Sequence, residues 1–345
     1  MEKPIVGITM GDPASIGPEI SLKVFKNKEL YDKCRPLLVG DSNVLEKVME
    51  VLPDRKLKLN KISDVKDAKF EYGIMDVYDM HEVDIDKLEF GKVSKMAGNA
   101  AFQYVKKVIE LANEHEIDAT VTNALNKEAM NLAGHHYAGH TEIYGKFTNT
   151  PNYTMMLAHG NLRVVHVSTH VSLRQACDLV KKPRVEECIR LADEVCRNLG
   201  IKDPKVAVAG LNPHAGEDGL FGDEEIKEIA PAVKEMQEKG INVEGPIPAD
   251  TVFPKCVGGM YDIVVAMYHD QGHIPVKVIG FQYDKAKKKW NSVAGINVTL
   301  GLPIIRTSVD HGTAFDQVLK GTANELSLEN AIDYAVKLAS NKSHA

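Results

Sequence analysis

Three histidines occupy the same kind of position in this chain of 345 residues. His170 closes the run Leu162-Arg-Val-Val-His-Val-Ser-Thr-His, His214 follows Val206-Ala-Val-Ala-Gly-Leu-Asn-Pro, and His269 follows Asp262-Ile-Val-Val-Ala-Met-Tyr. Each apolar run is short and β-branched, the pattern of a buried strand. Each imidazole therefore falls at or just beyond the carboxyl end of its strand. Ligands of open parallel α/β sheets gather at that edge. Three imidazoles there suit a divalent transition cation, and their wide spacing matches no compact zinc-finger pattern, so a catalytic ion is the expectation. Against this, the chain has 13 histidines, and a histidine taken singly more often packs or faces solvent than binds a metal.

Other residues extend the chemistry. Gly139-His140-Thr141-Glu142 brings an imidazole and a hydroxyl together, Lys277 lies eight residues past His269, and Arg306 ends the run Gly301-Leu-Pro-Ile-Ile. An arginine fork and a lysine point charge suit a small phosphorylated or carboxylated substrate. Each of these residues read singly is more often a surface residue than a site residue. Gly11-Asp-Pro-Ala-Ser-Ile-Gly17-Pro-Glu19 reads as a strand-to-helix turn. Such a turn can hold an anion at the helix start, but it is neither GxGxxG nor GxxxxGK[ST], and a tight turn that needs glycine explains it equally well. Gly216-Glu-Asp-Gly219-Leu-Phe-Gly222-Asp223-Glu-Glu also mimics a glycine loop. Its acids would repel phosphate, so Asp223 reads as a helix N-cap with the acids complementing the helix dipole. His311-Gly312-Thr313-Ala314-Phe315-Asp316 follows an apolar strand. It resembles the adenosine-binding loop of the isocitrate and isopropylmalate dehydrogenases, which bind nicotinamide cofactors without GxGxxG.

The elements that must position these residues alternate between strand and helix, the signature of an α/β fold. Strands are expected at Ile5–Thr9, Arg35–Gly40 and Ala119–Thr122, and helices at Pro18–Lys26, Met96–Glu114, Arg184–Leu199, Asp223–Lys239 and Leu328–Ser340. Hydrophobic content of 44% with 26% charged residues is that of a globular enzyme, and no apolar run approaches a membrane span. The net charge of −6 favours no nucleic acid. Lys285, Lys287, Lys288 and Lys289 stand beside Trp290, the sole tryptophan. A solvated hairpin tip or loop is the expectation there, ahead of a nucleic-acid contact. Cys34, Cys177, Cys188, Cys196 and Cys256 form no CxxC pair and are odd in number, which fits a reducing compartment. With a strand beginning almost at Met1, leaving no room for a signal peptide, a cytoplasmic location is expected.

Several ordered motifs resemble one family: Gly11-Asp-Pro-Ala, Gly17-Pro-Glu, Gly139-His-Thr-Glu, Asn212-Pro-His-Ala-Gly-Glu217, Pro248-Ala-Asp-Thr251, Tyr268-His-Asp-Gln-Gly272, Asn297-Val-Thr-Leu-Gly-Leu-Pro303 and Arg306-Thr-Ser-Val-Asp-His-Gly-Thr313. The chain resembles the 4-hydroxythreonine-4-phosphate dehydrogenases nearly end to end. Asn126-Lys-Glu128, His166-Val-Ser-Thr-His170, Gly219-Leu-Phe-Gly-Asp-Glu-Glu225 and Gly272-His-Ile-Pro275 look more like the D-threonate/D-erythronate 4-phosphate dehydrogenase branch. The resemblance implies a two-domain αβα fold like isocitrate/isopropylmalate dehydrogenase with the active site in the interdomain cleft. It implies an outer domain of residues 1–128 with 300–345 and a central domain of 129–299 carrying the metal ligands and a homodimer interface, with ligands drawn from both subunits.

It further implies a divalent metal on His170, His214 and His269, and substrate contacts from His140, Thr141, Lys277, Asn297 and Arg306. Lys277 and Asp250 are expected in proton or charge roles, Asp250 as a base or as the group that orients a histidine. NAD is expected on His311, Gly312, Thr313, Ala314 and Asp316, with the Gly11–Gly17 turn as the rival place. The expected reaction is NAD-dependent and metal-dependent oxidation at C3, with decarboxylation, of a phosphorylated four-carbon hydroxy acid. The preferred substrates are 4-phospho-D-threonate and 4-phospho-D-erythronate, giving dihydroxyacetone phosphate and CO2. The alternatives are 4-phosphohydroxy-L-threonine oxidation and, more remotely, metal-dependent hydrolysis. Two departures from the family pattern stand out. Ser15 replaces a glycine in the first turn, which costs ~1 kcal/mol if that position needs φ > 0, and the stretch Tyr283–Ala294 before Asn297 is long.

Overall fold

The computed structural model describes residues 2–52, 57–285, 289–293 and 295–342. The chain forms two compact units, residues 1–152 with 302–345 and residues 153–301. The first unit thus runs past residue 128 to Asn152, and it includes the segment that carries His140 and Thr141.

The first unit contains β1 (Ile5–Thr9), β2 (Arg35–Gly40), β3 (Lys58–Ile62), β4 (Ile74–Asp79) and β5 (Ala119–Thr122). The second contains β6 (Thr154–His159), β7 (Leu162–His166), β8 (Val206–Ala209), β9 (Val243–Ile247), β10 (Ile263–Ala266), β11 (Phe281–Asp284), β12 (Lys289–Val293) and β13 (Ile296–Leu300). The chain then returns to the first unit with β14 (Arg306–Val309).

In the first unit the strands run β3-β4-β2-β1-β5-β14, all parallel. Val6, Ile8, Leu37, Leu38, Val121 and Thr120 are buried, so both faces of the central strands are covered. That is why these strands read as continuous apolar runs rather than as alternating ones. The helix Lys95–Asn113 packs one face with Ala101, Tyr104, Val105, Val108 and Ile109, and Ser94 caps its start by accepting the Ala97 N–H at 3.1 Å. Gly98 lets this helix touch the following one. A Cβ there would stand 2.1 Å from the Ala129 carbonyl. The helix Lys127–Leu132 is thereby drawn close, and Lys127 sits at its first position.

The second unit orders its strands β13-β6-β7-β10-β8-β9. β6 is antiparallel to both neighbours, and β7, β10, β8 and β9 are parallel. Leu157, Val164, Ala207, Val264, Phe253 and Val276 share one buried cluster. β11 and β12 form a two-stranded hairpin on their own. Lys285 and Lys289 lie where these two strands meet, and the expectation for the lysine-rich stretch falls on residues 286–288, which lie outside the described residues. No helix among the described residues is long and apolar enough to cross a membrane. Burial pushes the thiols of Cys34 and Cys196 up to about 12 and those of Cys188 and Cys256 up to about 11, which removes them as nucleophiles.

Candidate active site

The three histidine-bearing runs are neighbours in the second unit. β7 pairs with β10 and β10 with β8, all parallel, so His170, His269 and His214 all follow strands that end at one edge. The rings of His170 and His269 lie 5.8 Å apart at 46°. Both line a cavity of about 510 Å³ with Thr169, Ser172, Tyr268 and Asp270. His269 Nδ1 pairs with Asp270 Oδ1 at 2.6 Å. A carboxylate on one ring nitrogen leaves the other as the donor, the usual support for a metal-binding imidazole. In donor chemistry this pair fits a divalent transition cation. His214 does not join them. Among the described residues no three His, Cys, Asp or Glu side chains stand close enough together to hold an ion.

Two further histidines, His273 and His166, which the sequence reading gives packing or supporting roles, stand beside His269. His273 stacks on it at 3.6 Å and 12°, and its Nδ1 meets the His269 carbonyl at 2.9 Å. His166 packs behind His273 at 4.8 Å, and burial holds it down to about 3, so it is neutral at physiological pH. Gly272 makes room for it, because a Cβ there would stand 2.3 Å from His166 Nε2. The i, i+4 spacing of His269 and His273 on the helix His269–Gly280 was the available signal for the stack.

His214 sits in unusual backbone. His214, Ala215, Glu217 and Asp218 all have φ between 43° and 53°, and Gly216 lies between them at 86°. A left-handed conformation costs an ordinary residue roughly 1–2 kcal/mol, so four such residues store substantial strain around one imidazole. The nearby ring is Phe221, at 6.2 Å.

Lys277 lies two turns along the helix from His269, with Nζ 4.2 Å from the centre of the Phe281 ring. Asn297 is in β13 opposite Leu157, with Nδ2 on Met155 Sδ at 2.7 Å and Oδ1 buried without a partner. Asp250 is exposed in the first turn of the helix Ala249–Val257. The carboxylate that pairs with a site histidine is Asp270, not Asp250.

The first unit gathers a separate, cationic set. His140 opens the helix His140–Phe147, whose N-cap Gly139 offers no side-chain cap. Its Nε2 is buried without a partner. Burial, then the Arg306 and Lys127 charges, hold its imidazole well below the usual value. Thr141 follows at the second position of that helix. Arg306 is 3% exposed, donates from Nη2 to Thr122 Oγ1 at 2.8 Å and lies over the Tyr144 ring at 5.6 Å. Burial pushes its guanidinium down to about 10, which leaves it charged at neutral pH. Arg306 opens β14. The apolar run 301–305 precedes the strand.

The two rival cofactor loops prove to be neighbours. Ile16 N–H donates to Thr313 O at 3.3 Å, Gly91 N–H donates to Ala14 O at 2.8 Å, and a Cβ on Gly91 would meet Phe315 O at 3.1 Å. Their glycines differ in purpose. A Cβ on Gly17 would lie 2.2 Å from Met10 O, and one on Gly11 2.6 Å from Ala124 O, whereas one on Gly312 meets nothing within 4 Å. Gly11 and Gly17 serve packing, and Gly312 leaves open space. His311 Nδ1 meets the Gly312 carbonyl at 2.9 Å, Ala314 is left-handed, and Asp316 is exposed with Oδ2 accepting from Gln317 Nε2 at 2.6 Å. The strain considered for Ser15 is absent. Its φ is not positive, and its hydroxyl donates to Asp12 O at 2.6 Å while accepting the Gly17 N–H at 3.1 Å.

Largely parallel α/β units with histidines and loops at their strand ends suit an enzyme, and the similar proteins are named as dehydrogenases. The family model for pyridoxal phosphate biosynthetic protein PdxA matches residues 32–335. A relative from Oceanobacillus iheyensis, provisionally named D-threonate 4-phosphate dehydrogenase, is 49% identical over 347 residues, covering 99% of each chain. One of the same name from Clostridium botulinum is 47% identical over 335 residues, covering 97% of each chain. Among solved structures, the 4-hydroxythreonine-4-phosphate dehydrogenase of Klebsiella pneumoniae is similar, with a TM-score of 0.85 and 44% identity over 98% of this chain and 100% of that one. The chain belongs to the PdxA family.

Proposed function

We propose that this enzyme oxidises C3 of a four-carbon hydroxy acid 4-phosphate with NAD and a divalent metal, and that 4-phospho-D-threonate or 4-phospho-D-erythronate is its substrate. One observation carries the reading: His170 and His269 face one cavity from adjacent parallel strands, with Asp270 behind His269. The relatives named for D-threonate 4-phosphate support the substrate class.

When bound, the cation would supply stabilisation of negative charge developing on substrate oxygens, and NAD would accept the hydride. The protein's residues do the rest. His170 and His269 would hold the cation, Asp270 would fix which nitrogen of His269 faces it, and His214, on the turn after the neighbouring β8, would have to come up to them to serve as the third donor. Arg306, charged and buried beside Thr122, binds an anionic group of the substrate, and Lys127 adds charge at the same place. His140, neutral at physiological pH, offers its buried Nε2 as a hydrogen-bond partner. Thr141 and Asn297 orient hydroxyl or carboxylate oxygens. Lys277 neutralises substrate charge. Oxidation of C3–OH to the ketone releases one hydride and one proton. The resulting β-keto acid loses its carboxyl as CO2 and leaves dihydroxyacetone phosphate. The His311–Asp316 loop holds the adenosine end of NAD, and Asp316 disfavours a 2′-phosphate by repulsion. The working form is a homodimer.

A second reading is oxidation of 4-phosphohydroxy-L-threonine, favoured by the 44% identity with the Klebsiella pneumoniae enzyme. The two substrates differ in the group at C2. Turnover of both phosphorylated acids with NAD and with NADP, after chelation and metal add-back, separates them. Preference for the amino acid overturns the first reading.

A further inference from the structure

One buried carboxylate in the second unit has no part in the chemistry above. Glu225 is 3% exposed. Its Oε1 accepts the N–H groups of Leu211 and Asn212, each at 2.7 Å, and its Oε2 accepts Asn212 Nδ2 at 2.9 Å. It stands on a single widened helical turn, Glu225–Ile229. Such π turns re-aim a side chain relative to an α-helix and cluster at functional sites. Two glycines admit the carboxylate. A Cβ on Gly210 would stand 3.2 Å from Oε1, and one on Gly216 2.8 Å from Oε2. One side chain therefore grips the chain before His214 and fits against it after His214. Between these two points lie the left-handed His214 and Ala215. Backbone of this kind persists only where surrounding groups hold it, and a carboxylate receiving three N–H donors is a strong anchor.

We propose that Glu225 is the positioning residue for His214, holding the left-handed turn that presents this imidazole to the metal. The proposal rests on the reading of His214 as a metal ligand. It takes the acid away from the helix-dipole role that its sequence position suggests.

The test uses the full chain and Co(II) alone. Glu225→Asp keeps the charge but withdraws it by about one bond length, ~1.5 Å. Glu225→Gln keeps the reach and loses the charge, and the displaced Asn212 Nδ2 still has Glu224 Oε2 at 2.7 Å. Co(II) affinity should fall on the order of 10–100-fold in Glu225→Asp, the range for groups that hold metal ligands in place. The visible spectrum of bound Co(II) should change with it, and the amides of Leu211 and Asn212 should exchange faster with solvent. Glu225→Gln should stay closer to wild type in all three readouts. The opposite order, or an Asp variant that binds Co(II) like wild type with an unchanged spectrum, overturns the proposal. His214→Ala is the control for the underlying reading. If that variant binds Co(II) as tightly as wild type, His214 is no ligand and the proposal falls with that reading. If it loses Co(II) while Glu225→Asp does not, only the positioning role falls.

Discussion

Asp12 shows how a single buried group sets a pH dependence. Burial pushes its carboxyl up from 3.8 to about 6, opposed by the Ala14 N–H at 2.8 Å, and Oδ2 has no partner. The folded state thus binds this proton more tightly than the unfolded state. Stability is lost as pH rises through the window from 3.8 to about 6 and stays lower above it. Asp12→Asn should remove that loss, raising stability at neutral pH by at most about 3 kcal/mol and converging with wild type near the acid end. Thermal melts across the window check this, and parallel curves for the two proteins count against it. Arg306 tests the substrate reading at the same scale. Arg306→Ala should cost ~2–5 kcal/mol in kcat/KM for the phosphorylated acid, as when one partner of a buried charge pair is removed. The unphosphorylated acid should lose little more. Equal losses on both would show that Arg306 does not read the phosphate.

At the scale of elements, the turn after β1 and the loop after β14 act as one surface, joined by the Ile16–Thr313 hydrogen bond. Their glycines make opposite predictions. Gly17→Ala drives a methyl group into Met10 O and should lower Tm markedly or prevent folding, because backbone must shift. Gly312→Val meets open space, so Tm should hold while the KM for NAD rises far more than that for substrate. A Gly312→Val enzyme with unchanged NAD kinetics would move the dinucleotide off this loop. Little of this neighbourhood was legible in the sequence. The two loops are nearly the length of the chain apart, and only the adjacency of β1, β5 and β14 brings them together.

For the whole molecule, metal removal and subunit contact are the tests. His170, His214 and His269 lie outside the strands, beyond the buried cluster that holds the second unit together. Chelation should therefore abolish turnover while far-UV dichroism and most of the thermal stability remain. Full activity of chelated enzyme with NAD would end the metal reading. The second unit also leaves Ile274 58% and Val278 71% exposed, four residues apart on the helix that carries His269 and Lys277. Apolar side chains on one exposed helix face fit a partner subunit. Sedimentation should show a dimer, and the double variant Ile274→Glu, Val278→Glu should shift it toward monomer. An unchanged dimer would place the interface elsewhere.

The strands that carry the site are determined by local sequence. β1, β2 and β5 fall where short apolar and β-branched runs put them, because burial on both faces leaves few polar residues to blur the pattern. The histidines after β7, β8 and β10 were legible for the same reason. What tertiary structure decided is where side chains turn. Arg306, at the end of an apolar run, opens a strand, since the boundary depends on pairing with Thr120 rather than on the apolar run. Ser15 escapes strain through two hydrogen bonds that composition does not specify. Glu225 reads as a helix-start acid, yet a widened turn and two glycines carry it inward against the His214 turn. Runs and spacings record which face is buried, because burial acts on every residue of an element. Hydrogen bonds and glycine-made gaps depend on which distant backbone arrives, and that is a property of the packed chain alone.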